Sequence, residues 1–151
     1  MAKLMTFWFN SKSALVDPNS GLNYEQEGTH DVSALLTLAA AAGGTVNSSD
    51  QVNPNCHGLQ LGINITTLTG TSPTVTVTIQ GKDLASGAYY TLLQSAALAA
   101  TGFTLLTVNP GMTNVANVSS AQVLPAVWRV SVSVAGTAPA ATATVGASVI
   151  S

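Results

Sequence analysis

Apolar and polar residues alternate most regularly in residues 73–90 of the chain. Val75, Val77 and Ile79 fall on one face of an extended strand, and the threonines between them fall on the other. β-Branched side chains of this kind suit a pleated, half-buried surface. A stretch with two glycines, residues 81–87, interrupts the alternation before a second strand-like run begins. The pattern predicts a β-hairpin whose Val and Ile side chains face the core.

The same period of two recurs on both sides of this hairpin. Residues 57–67 carry alternating Leu and Ile, residues 101–108 form a shorter run, and residues 123–134 and 142–150 follow. The residues that we expect in the core of the hairpin and its neighbour are Val75, Val77, Ile79, Trp128, Val130 and Val132. Turns are predicted at residues 69–73, 109–111 and 136–139, and a loop that crosses the sandwich at residues 112–122.

Residues 33–42 allow two interpretations. Their Leu-rich and Ala-rich composition favours a helix, and two glycines follow where a helix could end. Leu36, Leu38 and Ala40 also alternate as in a strand, which we favour because the surrounding chain is β. Seven or eight short strands result, a number typical of an all-β antiparallel sandwich, immunoglobulin-like or jelly-roll-like.

The first 31 residues differ from the rest. They hold four of the six acidic residues, an aromatic cluster at Phe7, Trp8 and Phe9, and no persistent period. We therefore predict an extended N-terminal arm at residues 1–31 and a β-sandwich domain at residues 32–151. The aromatic cluster is our candidate for binding a partner, with packing against the chain's own body as the alternative.

The charged fraction is 7%, against about 25% in ordinary globular domains. Such a chain either has little exposed surface of its own or lives in an assembly, and a small neutral secreted β-domain is the alternative. The four basic residues are scattered, which disfavours nucleic acid and anionic membrane as partners. No apolar stretch approaches the ~20 residues of a membrane span. The N-terminal apolar run is short for a secretory signal, so we expect synthesis in the cytoplasm.

Candidate catalytic residues are few. Cys56 is the single cysteine, so no internal disulfide can form, and its neighbour His57 would point to the opposite face of an extended chain. His30 lies 27 residues before His57, which is not metal-ligand spacing. The carboxylates that could serve a glycosidase are Asp17, Glu25, Glu27, Asp31, Asp50 and Asp83. Four of these lie in the arm, so we expect no enzyme, no catalytic residue, no metal site and no cofactor.

Two further features have alternative interpretations. Arg129 lies on the polar face of an apolar strand, where its stem would cover apolar surface or its head would form an ion pair with another subunit. Tyr89 and Tyr90, at the hairpin, could stack on a sugar.

Residues 58–128 carry a set of motifs in a characteristic order. They are the run TGTSPTVTVTIQGKD at residues 69–83, Ser86-Gly87, Tyr89-Tyr90-Thr91-Leu92-Leu93, Ser95-Ala96-Ala97, Thr101-Gly102, Asn109-Pro110-Gly111, Val123-Leu124-Pro125 and Trp128-Arg129-Val130. With these motifs, about half the chain resembles small virion proteins, of the head-decoration kind, from tailed phages of actinobacteria. The resemblance implies a non-enzymatic structural part of the particle. The arm and residues 112–121 lie outside the matching motifs.

The expected function is a capsid decoration or cementing protein that binds the head shell. The expected partners are the major capsid protein or another virion protein, and further copies of the chain in a homo-oligomer such as a trimer. The expected location is the virion, after synthesis in the host cytoplasm. A tail or baseplate component is an alternative within the structural class. A carbohydrate-binding or adhesin-like β-sandwich is an alternative outside it.

Overall fold

The computed structural model describes residues 6–9, 12–16, 23–25, 32–53 and 55–150, with side chains from residue 35 onward. This part of the chain is all-β and contains no helix. Its strands, in chain order, are β1 Thr6–Phe9, β2 Lys12–Val16, β3 Asn23–Glu25, β4 Val32–Ala41, β5 Gly44–Asn47, β6 Gln51–Val52, β7 Gly58–Lys82, β8 Tyr89–Gln94, β9 Gly102–Val108, β10 Ser119–Ser120 and β11 Val127–Ile150.

Two long strands, β7 and β11, form the centre of the fold. They pair antiparallel from Gly58 opposite Ile150 to Gly81 opposite Trp128. The first part of β7 also pairs with β9, and its last part with β8. Likewise, β11 pairs with β6 and β5 near its start and with β4 near its end. We call the β10-β9-β7-β11-β4 half sheet I, and the half that contains β8, β7, β11, β5 and β6 sheet II.

The two sheets enclose one hydrophobic core, which gives a β-sandwich. All of the core residues predicted for the hairpin and its neighbour are at most 1% exposed. From sheet I, Leu59, Leu61, Ile63 and Ile65 join the same buried cluster. A period of two puts these side chains inside and their polar neighbours outside, so the predicted alternation and the sandwich are confirmed.

The turns predicted at residues 69–73 and 136–139 are wrong, because β7 and β11 run through them without a break. Register shifts interrupt the ladder here, and Gly70 and Gly136 have positive φ angles of 117° and 131°. A Cβ on Gly70 would lie 2.8 Å from the carbonyl oxygen of Ala138. The turn-forming residues therefore bend a continuous two-stranded ribbon from one sheet into the other.

Residues 112–122 cross from one sheet to the other, as predicted. In sheet I, the N–H of Thr107 donates to the carbonyl of Val118 at 3.0 Å. In sheet II, the Asn117 amide donates to the carbonyl of Gln94 at 3.1 Å. The segment thereby covers backbone groups at the edges of β9 and β8, which would otherwise remain open to pairing.

Residues 33–41 lie in strand β4 rather than in a helix, which confirms the favoured interpretation. The register of β4 against β11 is irregular, so Leu35 and Leu38 are buried while Leu36 is half-buried. In the N-terminal region, β1, β2 and β3 form a separate three-stranded antiparallel sheet. The division into an arm and a sandwich domain stays a prediction.

Candidate functional site

Most of the charge in the sandwich gathers at one end of the outer face of sheet II. Between residues 35 and 151 the charged side chains are Asp50, Lys82, Asp83 and Arg129. Strand register brings three of them together. Lys82 pairs with Tyr89 across β7 and β8, Arg129 pairs with Gln80 across β11 and β7, and Asp50 lies in the short link between β5 and β6. We call Asp50, Gln80, Lys82, Tyr89 and Arg129 the charged cluster.

Within the charged cluster, each polar head has a partner. The Lys82 Nζ lies 2.7 Å from Asp50 Oδ2, and the Tyr89 hydroxyl donates to Asp50 Oδ1 at 2.7 Å. The Arg129 guanidinium carbon lies 3.4 Å from the centroid of the Tyr89 ring, and its Nε donates to Gln80 Oε1 at 2.9 Å. Lys82 Nζ is 5.3 Å from the same ring centroid. Two cations thus share one aromatic ring, and Lys82 and the Tyr89 hydroxyl share one carboxylate.

These contacts shift two pKa values in the expected directions. The hydrogen bond from Lys82, followed by that from Tyr89, lowers the pKa of Asp50. The same contact with Asp50 raises the pKa of Lys82. Both shifts favour the charged forms, so the pair is set for ion pairing rather than for exchanging protons near neutral pH. The charged cluster therefore connects the β5–β6 link to the strands β7, β8 and β11 through side-chain contacts.

The remaining sequence candidates that the structure describes with side chains, Asp83, Cys56 and His57, do not form a site. Asp83 accepts hydrogen bonds from the backbone and side chain of Ser86 inside the hairpin loop, which lower its pKa. Cys56 is half-buried, and its backbone N–H donates to Asn53 Oδ1 at 2.8 Å. His57 is exposed. Within the described residues, no three His, Cys, Asp or Glu side chains meet in a metal-binding arrangement.

Phe7, Trp8 and Phe9 lie in β1, which pairs with β2. Their side chains lie outside the described residues, as do His30, Asp17, Glu27 and Asp31. The partner-binding role of the aromatic cluster therefore stays a prediction. The part of the chain that the structure describes contains no helix able to cross a membrane.

The two tyrosines considered for sugar stacking are both engaged in internal contacts. Tyr89 belongs to the charged cluster. Tyr90 lies against Gly81, where an added Cβ would come within 2.5 Å of its ring and 2.8 Å of Pro125. Glycine at this position makes room for the tyrosine ring, so Tyr90 serves packing although it stays 45% exposed.

The sequence reasoning missed a different aromatic residue, Phe103. It lies on the outer face of sheet I with Leu105, and these side chains are 67% and 42% exposed. The pattern of β9 contains the signal, because Leu106 and Val108 take the inward positions and leave Phe103 and Leu105 outward. An outward Phe at the start of a strand is therefore readable from the sequence once the register is known.

Comparison with known proteins gives no family. No protein-family model matches the chain, and no curated protein does either. Among solved structures, the chain is similar to a structure of the infectious bursal disease virus Gt strain. The identity is 9% and the TM-score 0.47, over 94% of this chain and 40% of the viral chain. The chain is also similar to a structure of the Gx strain, at 12% identity and a TM-score of 0.43, over 87% and 35% of the two chains. The chain thus spans well under half the length of either viral chain.

Proposed function

We propose that this chain is a non-enzymatic structural protein of a phage virion, in the first place a capsid decoration protein that binds the head shell and self-associates. The observation that carries the proposal is the neutrality of its outer faces. The charged residues of the sandwich are satisfied within one cluster and one hairpin loop. The outer faces of both sheets otherwise present mainly uncharged residues, chiefly Thr, Ser, Asn and Gln, with apolar exceptions such as Phe103 and Leu105 on sheet I.

Neutral faces suit an assembly because symmetric contacts bring the same surface of each copy together. Like charges at such a contact would repel, whereas hydroxyl and amide groups can donate and accept from their own symmetry mates. Surface charge normally keeps monomers apart, so its scarcity here supports close packing among neighbours. The resemblance of residues 58–128 to virion proteins supports the same role.

The test is to purify the particles that carry the protein and to count its copies against the major capsid protein. A decoration protein should occur at a simple stoichiometric ratio to the shell subunit. A low copy number, with density on the tail in a low-resolution map, would instead favour the tail or baseplate alternative. Absence of the protein from purified particles would overturn the virion role altogether.

Attachment through the N-terminal region can be tested in the full chain. Replacing Phe7, Trp8 and Phe9 together by Ala should leave the sandwich folded and abolish binding to undecorated particles, because buried aromatic side chains commonly dominate interface energetics. Leu84→Ala, at an exposed hairpin position, is the matched control and should bind normally. Normal binding by the triple variant would move the attachment surface to the sandwich.

The non-enzymatic part of the proposal has its own test. The pure protein should release no products from polysaccharides or peptidoglycan. Hydrolysis that disappears when a single carboxylate such as Asp50 is replaced by Asn would refute it.

A further inference from the structure

Phe103 forms a flat aromatic surface on the outside of sheet I. The backbone of Phe103 pairs with Asn64 on β7, but its ring covers Gly62, the next residue of β7 on the same face of the sheet. A Cβ on Gly62 would lie 3.0 Å from both Cε2 and Cζ of the ring, so the far end of the ring lies over the glycine. Because glycine has no side chain, the ring can lie against the sheet and leave 67% of the Phe103 surface open to solvent.

Beside the ring on the same face lies Leu105, which pairs with Gly62 and is 42% exposed, and the residues of the rows on either side are polar. Gly62 pairs with Gly146 on β11, and because neither residue has a side chain, the sheet surface beside the ring is open. One flanking row of the outer face continues from Phe103 through Asn64 to Thr144, and the other contains Thr107, Gln60 and Ser148. Same-face residues four apart in a strand are separated by about 13 Å. The outer face thus has an apolar floor, formed by the Phe103 ring and Leu105, between two rims of amides and hydroxyls.

No charged side chain belongs to these rows, and the sequence has none between residues 84 and 128 or after residue 129. An anionic ligand would therefore find no cation here. A purely apolar partner would bury the Asn64 and Gln60 amides without hydrogen-bond partners, which is costly. A neutral ligand with both C–H surface and many hydroxyl groups satisfies the ring and the rims together.

We propose that this face of sheet I, which we call the Phe103 platform, binds an uncharged carbohydrate. The apolar face of a sugar ring would stack on Phe103, and its hydroxyls would exchange hydrogen bonds with Asn64, Gln60, Thr144 and Ser148. The platform replaces Tyr89 and Tyr90 as the sugar-binding candidate, because those rings are committed to the charged cluster and to the packing around Gly81. This binding does not depend on the proposed virion role.

The experiment is native electrophoresis of the full chain through gels that contain soluble polysaccharide. The probes are a neutral α-glucan, a neutral β-glucan and a galactomannan, with alginate as a polyanionic comparison. We expect retardation of the wild-type protein in at least one neutral gel. Phe103→Ala should weaken that retardation about tenfold, as expected for the loss of one aromatic stacking contact.

Three further variants separate binding from folding. Phe103→Trp should retain retardation because it keeps an aromatic face, and Leu84→Ala should retain it because that side chain, 66% exposed, lies on the hairpin tip. Asn64→Ala keeps the ring and should weaken binding. Thermal unfolding of each variant shows whether the fold is intact.

Several results would overturn the proposal. These are free migration in every neutral gel, retardation that Phe103→Ala and Asn64→Ala leave unchanged, and retardation by alginate alone. Sedimentation provides a further check. If Phe103→Ala dissociates an oligomer without affecting retardation, the occupant of the platform is a second copy of the chain and the carbohydrate proposal fails.

Discussion

The guanidinium of Arg129 stacks on the ring of Tyr89, with 3.4 Å between the guanidinium carbon and the ring centroid. Arg129 lies near the start of β11 and Tyr89 begins β8, two strands that do not pair with each other but flank β7 on opposite sides. The stack therefore spans the width of β7 on the outer face of sheet II. Through its hydroxyl, Tyr89 also reaches Asp50 beyond β11, so one side chain joins both flanks of the sheet.

Removing parts of Tyr89 should lower stability in steps. Tyr89→Phe keeps the stack on Arg129 and loses the hydrogen bond to Asp50, whereas Tyr89→Ala loses both. We expect the midpoint of urea unfolding to fall in the order wild type, Phe, Ala. The step from Phe to Ala should include about 0.5–1 kcal/mol for an exposed cation–π contact. Equal midpoints for the Phe and Ala variants would show that the stack contributes nothing.

The ion pair of Asp50 with Lys82 predicts how stability changes with pH. The pKa of Asp50 is lowered from 3.8, so its contribution is present above that value and is lost as the pH falls through the folded-state pKa. The pKa of Lys82 is raised from 10.5, so its contribution is complete below that value and is lost as the pH rises through the higher folded-state pKa. The pair therefore contributes a plateau across the intervening range.

In the plot of unfolding free energy against pH, Asp50→Asn should flatten both the acid limb and the alkaline limb, because Lys82 loses its partner in the same variant. Asp83→Asn is the matched control. Asp83 also has a lowered pKa but bonds Ser86 instead of a cation, so its loss should flatten the acid limb alone. The side chains of Lys82 and Asp50 keep 29% and 34% of their surface exposed, so added salt should shrink the effect. An alkaline limb that survives Asp50→Asn would contradict this assignment.

The contrast between core and cluster shows what could be predicted from the sequence. The period of two was enough to assign Val77 to the core and Arg129 to the outer face, because each assignment depends only on neighbours along the chain. The partners of Arg129 depend on which strands lie beside β11 and in what register. Tyr89 lies 40 residues earlier in the chain, and no local pattern connects the two.

Two buried serines make the same pair of hydrogen bonds to strand residues at opposite edges of sheet II. The N–H of Ser48 donates to the carbonyl of Val130 at 2.8 Å, and the Val130 N–H returns a bond to Ser48 Oγ at 3.0 Å. Ser95 and Val77 repeat this arrangement with the same two distances. At both places a hydroxyl accepts the hydrogen bond that a strand carbonyl would otherwise accept.

Ser48→Ala and Ser95→Ala should each leave a buried backbone N–H without an acceptor. We expect each to lower the free energy of unfolding by about 1–3 kcal/mol. Ser133→Ala, half-buried on the outer face, should change it by less than about 0.5 kcal/mol. Urea unfolding measures all three variants. Losses at Ser48 and Ser95 as small as that of the control would mean that the strand ends rearrange to find other acceptors.

The bend of the β7–β11 ribbon explains why two predicted turns were wrong. Residues 69–73 and 136–139 contain the Gly and Pro expected of turns, and the two glycines, Gly70 and Gly136, do have positive φ angles here. Each stretch, however, lies opposite the other, so their backbones stay paired while they bend. Whether such a stretch reverses the chain or bends a ribbon depends on its partner strand, which the local sequence does not specify.

Replacing Gly70 or Gly136 by alanine should therefore lower the stability of the fold. An alanine at either position meets a positive φ, which costs about 1–2 kcal/mol, and close backbone contacts besides. On Gly136 the new Cβ would lie 3.0 Å from the Cα of Pro73. Gly44 is the matched control, because its φ of 138° is close to theirs but nothing lies within 4 Å of an added Cβ.

Denaturant unfolding of the three Gly→Ala variants separates conformational strain from crowding. Gly44→Ala should show the cost of the positive φ alone, whereas Gly70→Ala and Gly136→Ala should lose more stability by about 1–3 kcal/mol, as expected for overpacking. The double variant should cost less than the sum of the two single changes, because one opening of the bend relieves both contacts. If all three single variants lose the same stability, the two halves of the ribbon have room to separate at the bend without losing the sandwich.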